Sequence, residues 1–144
     1  MIGVLVVTHG ALAEELLAAA ARVAGCPPRA MRALALDWSV GLEDACRQIG
    51  SAIDELDTGA GVLVLTDMFG DTPSNAALAS CRAGRIEMIS GVNLPMLVRL
   101  ACTNREHQSL SEVARWLEEK GRSSIRRGGG AEPKRGAAGE EKGG

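Results

Sequence analysis

The chain has 144 residues, of which 46% are hydrophobic and 24% charged, and its formal net charge is -2; this is one domain's worth of ordinary globular composition, long enough to bury a core. Aromatic residues make up only 2% (Trp38, Phe69 and Trp116, with no Tyr) and there is no basic excess, which argues against a base-stacking or phosphate-backbone surface and hence against a nucleic-acid partner. The longest apolar runs, such as Ile2–Val7 and Val62–Leu65, are too short for direct membrane insertion, and no basic segment precedes the first as in a signal peptide.

In chain order, Ile2–Thr8 is a continuous, β-branched apolar run of the kind found in a strand buried on both faces. His9-Gly10 breaks it. Ala11–Ala24 places Leu12, Leu16, Leu17 and Val23 at helical spacing and ends at Cys26-Pro27-Pro28. Met31–Leu36 reads as a weaker, Ala-rich second strand. Gly41–Leu56 reads as an amphipathic helix stopped by Asp57-Thr58-Gly59. Gly61–Thr66 is the clearest strand. Asp67–Pro73 is a loop, with Pro73 suited to the first turn of a helix over Ser74–Arg82. Arg85–Ser90 is a fourth strand, Gly91–Pro95 a turn, and Met96–Cys102 a short helix. The final helix spans Ser109–Glu119, capped by Ser109 or Ser111. Arg122–Arg127, around Ile125, leaves room for a short edge strand.

This alternation predicts an α/β fold: an open, mainly parallel four-stranded sheet with helices on both faces. No repeat of 20–50 residues interrupts it. The domain is expected over residues 1–127. Residues 128–144 continue a stretch from Gly121 that is rich in Gly and carries six basic and three acidic side chains, a composition expected to stay disordered. Cys26, Cys46, Cys81 and Cys102 form no CxxC pair, and only His9 and His107 accompany them, which gives no support to a metal site. They are read as reduced, mostly buried thiols of a cytoplasmic protein, with a disulfide pair as the lesser alternative.

Ligands of such sheets bind beyond the carboxyl ends of the strands. His9 follows the first strand and Asp67 the third, and these strands are commonly neighbours. A carboxylate bonded to one imidazole nitrogen fixes the tautomer and leaves the other nitrogen free as a nucleophile. The helix opening at Gly10-Ala11 and the one opening after Gly70 would turn N–H groups toward an anion held there, and Thr72 would add a hydroxyl. A loop histidine and a capping aspartate are equally ordinary readings of the two residues taken singly. His107, in a polar run, reads as an exposed loop residue. Asn93 reads either as a rim residue or as an Asx turn. No dinucleotide, P-loop or nucleophile-elbow motif is present.

Three blocks, Val6-Val7-Thr8-His9-Gly10, Leu65–Asn75 (LTDMFGDTPSN) and Gly91–Leu97 (GVNLPML), resemble the mannose-family enzyme IIA component of the bacterial phosphoenolpyruvate-dependent sugar phosphotransferase system. The resemblance runs from about Met1 to Arg126. It implies strand order 2-1-3-4, and an antiparallel fifth strand exchanged across a homodimer, with Arg122–Arg127 in its place. It implies a phosphohistidine at His9, a partner carboxylate at Asp67 and a hydroxyl near the phosphoryl group at Thr72; taken with the helix openings read above, the expected phosphoryl-binding positions are Gly10, Ala11, Gly70, Asp71 and Thr72. The donor would be the carrier protein HPr and the acceptor a IIB component in sugar uptake, with no metal or other cofactor. A regulatory phosphocarrier without transport is the alternative; a dihydroxyacetone kinase subunit and a plain anion-binding domain are weaker ones. Relatives often carry Gly-Gly-Thr-Pro where this chain has Gly70-Asp71-Thr72-Pro73. An Asp71 turned inward would oppose phosphorylation; one turned outward would cap the next helix, which is the reading favoured here.

Overall fold

Successive residues of a strand face opposite sides of a sheet, and strand β1 (Gly3–His9) buries both sets. In the computed structural model, which describes residues 1–130, β1 lies in the middle of the sheet, and its alternation divides the core in two. Val4 and Val6 face a core shared with Leu63, Leu65, Leu97, Leu100 and Leu117. Leu5 and Val7 face another, shared with Leu36, Ile49, Ile53, Val62 and Val64.

The sheet has the order β2-β1-β3-β4 with every pair parallel, where β2 is Met31–Leu36, β3 Val62–Thr66 and β4 Ile86–Ser90. Helices α1 (Leu12–Ala24), α4 (Leu94–Ala101) and α5 (Leu110–Ser123) supply the first core. Helices α2 (Leu42–Leu56) and α3 (Thr72–Ala79) supply the second. The expected α/β class, element order and two-sided layering are therefore those of the molecule.

Several boundaries move, each because of a cap. Thr8 Oγ accepts from the Ala13 N–H at 2.7 Å, tying α1 to the end of β1. Helix α3 starts at Thr72 rather than Ser74 because Asp71 caps it, and α4 starts at Leu94 because Asn93 does. Ser109, not Ser111, caps α5 through a reciprocal pair with Glu112.

The edge strand over Arg122–Arg127 is not formed in this chain. Helix α5 runs on through Arg122 and Ser123, with Lys120 and Arg122 in the last turn where cations are favoured. A Cβ on Gly121 would lie 2.7 Å from Met96 Sδ, so the glycine lets this last turn pack against α4. Residues 124–127 belong to no element. Of the residues expected to be a tail, 131–144 lie outside the described residues. The four cysteines are free, three of them half-buried and Cys102 exposed, which is less burial than expected.

Arg105 is 2% exposed. Its Nε donates to Ile2 O at 3.3 Å, Nη1 to Leu100 O at 2.8 Å and Nη2 to Arg29 O at 2.8 Å. Its oxygen partners are all main-chain carbonyls, so one side chain ties the starts of β1 and β2 to the end of α4. Burial, with Arg29 nearby, pulls its pKa below the usual guanidinium value. At the end of α2, Asp57 Oδ1 accepts from Gly59 N at 2.8 Å and Gly61 N at 3.2 Å, and Oδ2 from Arg85 at 2.9 Å.

Two predictions follow from these anchors. Arg105→Met removes all of these bonds from a buried position and should cost about 3 kcal/mol in urea unfolding. Asp57→Ala should cost about 1 kcal/mol at neutral pH. The Gly59 N–H first, and then Arg85, hold the Asp57 carboxyl below the usual carboxylate range. Its contribution is thus present above the unfolded-state value near pH ~4 and lost as pH falls through the lower folded value. The wild-type and Asp57→Ala stability curves should converge on the acid side.

Candidate functional site

His9 is the last residue of β1, paired in register with Leu36 of β2. Asp67 directly follows β3. Because β1 and β3 are hydrogen-bonded neighbours, the two residues meet at the carboxyl end of the sheet, as expected from their positions. Asp67 Oδ2 lies 3.0 Å from His9 Nδ1 and also accepts the His9 main-chain N–H at 3.2 Å. Asp67 Oδ1 accepts from Met68 N at 3.0 Å. A carboxylate against Nδ1 favours the ring proton on that nitrogen; in the neutral ring the lone pair is then on Nε2.

Nε2 turns toward the loop before α3. Asp71 Oδ2 is 3.3 Å from it. Asp71 both caps and faces inward, so the two alternatives drawn from the sequence are one conformation: Oδ1 accepts from Ser74 N at 3.1 Å while Oδ2 points at the ring. Ser74, buried to 1% exposure, accepts at Oγ from Gly70 N at 2.7 Å and from Asp71 N at 3.1 Å. The loop that carries Asp71 is therefore locked to the helix it opens.

The remaining expected positions divide. Gly10 N–H is spent on Leu36 O at 2.9 Å, and those of Gly70 and Asp71 on Ser74. Among the described residues the N–H groups of Ala11 and Thr72 have no partner, and neither does the Thr72 hydroxyl. Asn93 is not at this rim: it caps Met96 N and donates to Gly121 O and Ser124 Oγ, joining α4 to α5. His107 is an exposed loop residue.

Trp38 was not singled out from the sequence. It stacks on the His9 ring with centroids 5.1 Å apart and planes at 21°. It sits in a turn after β2, where Asp37 accepts from the Ser39 hydroxyl and N–H; those bonds hold the Asp37 carboxyl below its usual range. Gly10 makes the approach possible: its φ is +54°, and a Cβ there would lie 2.9 Å from Trp38 Nε1. The signal was topological, since β2 is adjacent to β1 and the loop after it must abut His9. Trp38, Met68 and Phe69 are 78%, 58% and 70% exposed, large apolar side chains left in solvent on the loops after β2 and β3.

One ligand atom from each of His9, Asp67 and Asp71 lies within 4.8 Å of the others. The two carboxylates flank the ring at opposite nitrogens, so a cation shared by all three would have to break the Asp67–Nδ1 bond. What the arrangement does offer is an imidazole held at Nδ1 by Asp67, with its face covered by Trp38 and Nε2 turned toward the loop before α3. Among the described residues no helix is long and apolar enough to cross a membrane.

Comparison with known proteins agrees with this geometry. A family model described as "PTS system fructose IIA component" (EIIA-man) matches residues 3–117. The chain is 31% identical over 128 residues to the PTS system mannose-specific EIIAB component of Escherichia coli K12, covering 87% of this chain and 39% of that protein; it thus spans about two fifths of that relative's length. The mannose/sorbose-specific IIA subunit from Enterococcus faecalis superposes with a TM-score of 0.79 at 22% identity, covering 92% of this chain and 98% of that one. The PTS IIA protein associated with the fucose utilization operon of Streptococcus pneumoniae does so at 0.70 and 27% identity, covering 87% and 91%. The chain belongs to the mannose-type family of phosphotransferase-system IIA components.

Proposed function

We propose that the protein is a phosphohistidine carrier of the sugar phosphotransferase system, loaded on His9 by phospho-HPr and unloaded to a IIB component. The observation that carries this reading is the Asp67–Nδ1 bond, which makes Nε2 the nitrogen that would attack, facing the loop that opens α3. In the transfer, the Nε2 lone pair forms the new bond to phosphorus while the donor's N–P bond breaks and its electrons return to the donor ring. The proton on Nδ1 stays in place. The His9 ring takes on the positive charge of a phosphoimidazole, and Asp67 neutralises it. Unloading reverses these steps toward the acceptor histidine.

The chain's work is then positioning and charge stabilisation. The N–H groups of Ala11 and Thr72, with the Thr72 hydroxyl, are the donors proposed for the phosphoryl oxygens. Gly10 and Gly70, both at positive φ, bring main chain close without a side chain in the way. Trp38 is proposed to keep the ring in its attacking orientation and to shield the N–P bond from water. Residues 1–127 would act as the working unit in the cytoplasm. A homodimer is proposed as well: beyond Ile86, which bridges to Arg82, the outer edge of β4 pairs with no strand among the described residues, and it borders a groove of about 560 Å³ lined by Phe69, Met96, Arg122 and Ile125.

The test is phosphoryl transfer from phosphoenolpyruvate through enzyme I and HPr. The wild type should take acid-labile label and His9→Ala none; Asp67→Ala should load about a hundredfold more slowly. An unlabelled wild type, with Asp71→Asn unlabelled as well, under conditions that load a known IIA protein removes the proposal. Trp38→Ala should slow loading by about three- to tenfold while Trp38→Phe restores it, as expected for a ring that orients by stacking. Equal rates for Ala and wild type would show that the stacked ring orients nothing.

A further inference from the structure

Asp71 Oδ2 is a buried carboxylate oxygen for which no hydrogen bond is made, and it stands 3.3 Å from His9 Nε2. A buried anionic oxygen without a donor is costly. It is held there by the other half of the same group: Oδ1 caps α3 through the Ser74 N–H, and Ser74 Oγ in turn binds the Gly70 and Asp71 N–H groups. The carboxylate thus sits where it caps the helix, at the expense of leaving one oxygen facing the nucleophile.

We infer that Asp71 is an internal competitor for the phosphoryl group, occupying with like charge the space that phosphoryl oxygens must enter at Nε2. This rests on the reading of His9 as the phosphoryl acceptor, and it assigns Asp71 a role opposite to that of a phosphoryl ligand. A phosphorus bonded to Nε2 carries three anionic oxygens into the shell where Asp71 Oδ2 now stands. Two anionic groups cannot share that volume in a half-buried site without strong repulsion. Loading therefore requires the Asp71 carboxylate to turn away. Unloading is driven by the same repulsion and by recovery of the cap. The device makes phospho-His9 short-lived and readily given up, which suits a relay and not a store.

The displacement has a structural counterpart. When Oδ1 leaves Ser74 N, the first turn of α3 loses its cap, and the loop at Gly70, whose φ is +94°, is released from one of its anchors. Met68 and Phe69 in this loop are exposed beside the site. The surface next to His9 thus differs between the loaded and empty states without any second site.

Asp71→Asn is the informative variant, since Asn caps as well as Asp but carries no charge. With phosphoenolpyruvate, enzyme I and HPr, its equilibrium loaded fraction relative to HPr should rise about tenfold and the half-life of its phosphohistidine should lengthen by a similar factor. Asp71→Gly should load in the same direction, with a melting curve recorded to separate loss of the cap from loss of the charge. Label on Asp71→Asn with none on the wild type would be the same result in its extreme form. Unchanged loading and lifetime in Asp71→Asn, or a lower loaded fraction, overturns the inference while leaving His9 as the acceptor. Absence of label from the wild type and both variants, with a known IIA protein loading normally, would instead overturn the reading of His9 itself.

Discussion

One carboxylate oxygen organises the carboxyl end of the sheet. Asp67 Oδ2 accepts both the main-chain N–H and the ring Nδ1 of His9, so the backbone at the end of β1 and the side chain it carries are fixed by the same atom. That is possible only because β1 and β3 are adjacent and parallel in a register that pairs Val7 with Thr66. The hydrophobic alternation of β1 and β3, which buries Val4, Leu5, Val6 and Val7 on two faces, is therefore also what brings the imidazole and its carboxylate together. Packing sets the register, and the register sets the chemistry.

Much of this was legible in the residues. The apolar runs of β1 and β3 and the helical spacing in α1 and α2 announce themselves by period, and a histidine and an aspartate at two strand ends are conspicuous once the strands are drawn. The less legible parts depend on contacts between elements distant in sequence. Nothing local marks Arg105 as buried: it lies in a polar run, and its partners Ile2, Arg29 and Leu100 converge only in the folded chain. The continuation of α5 through Ser123 depends on Gly121 fitting against Met96 of α4, which a reading of 122–127 as a β-type segment had no means to weigh.

The Asp71 loop shows a different limit. Its sequence offers two orientations for one carboxylate, and they look exclusive until the group is seen to have two oxygens with separate tasks. Ser74 is the residue that makes this so. As N3 of α3 it returns the cap, and its buried hydroxyl consumes the very N–H groups that a Gly-rich loop would ordinarily present to an anion. The N–H groups left without a partner, at Ala11 and Thr72, open two different helices rather than a single cradle.

The stacking of Trp38 on His9 has an optical consequence. The sequence contains no tyrosine and only two tryptophans, and the second, Trp116, packs against the core formed by α1, α4 and α5 on one face of the sheet. The ultraviolet emission of the protein is thus the sum of one indole remote from the imidazole and one lying on its face. A ring that gains or loses positive charge changes the quenching of Trp38, which lies against it, and not of Trp116. The chain carries its own fluorescent reporter of the state of His9, with an internal reference in the same molecule.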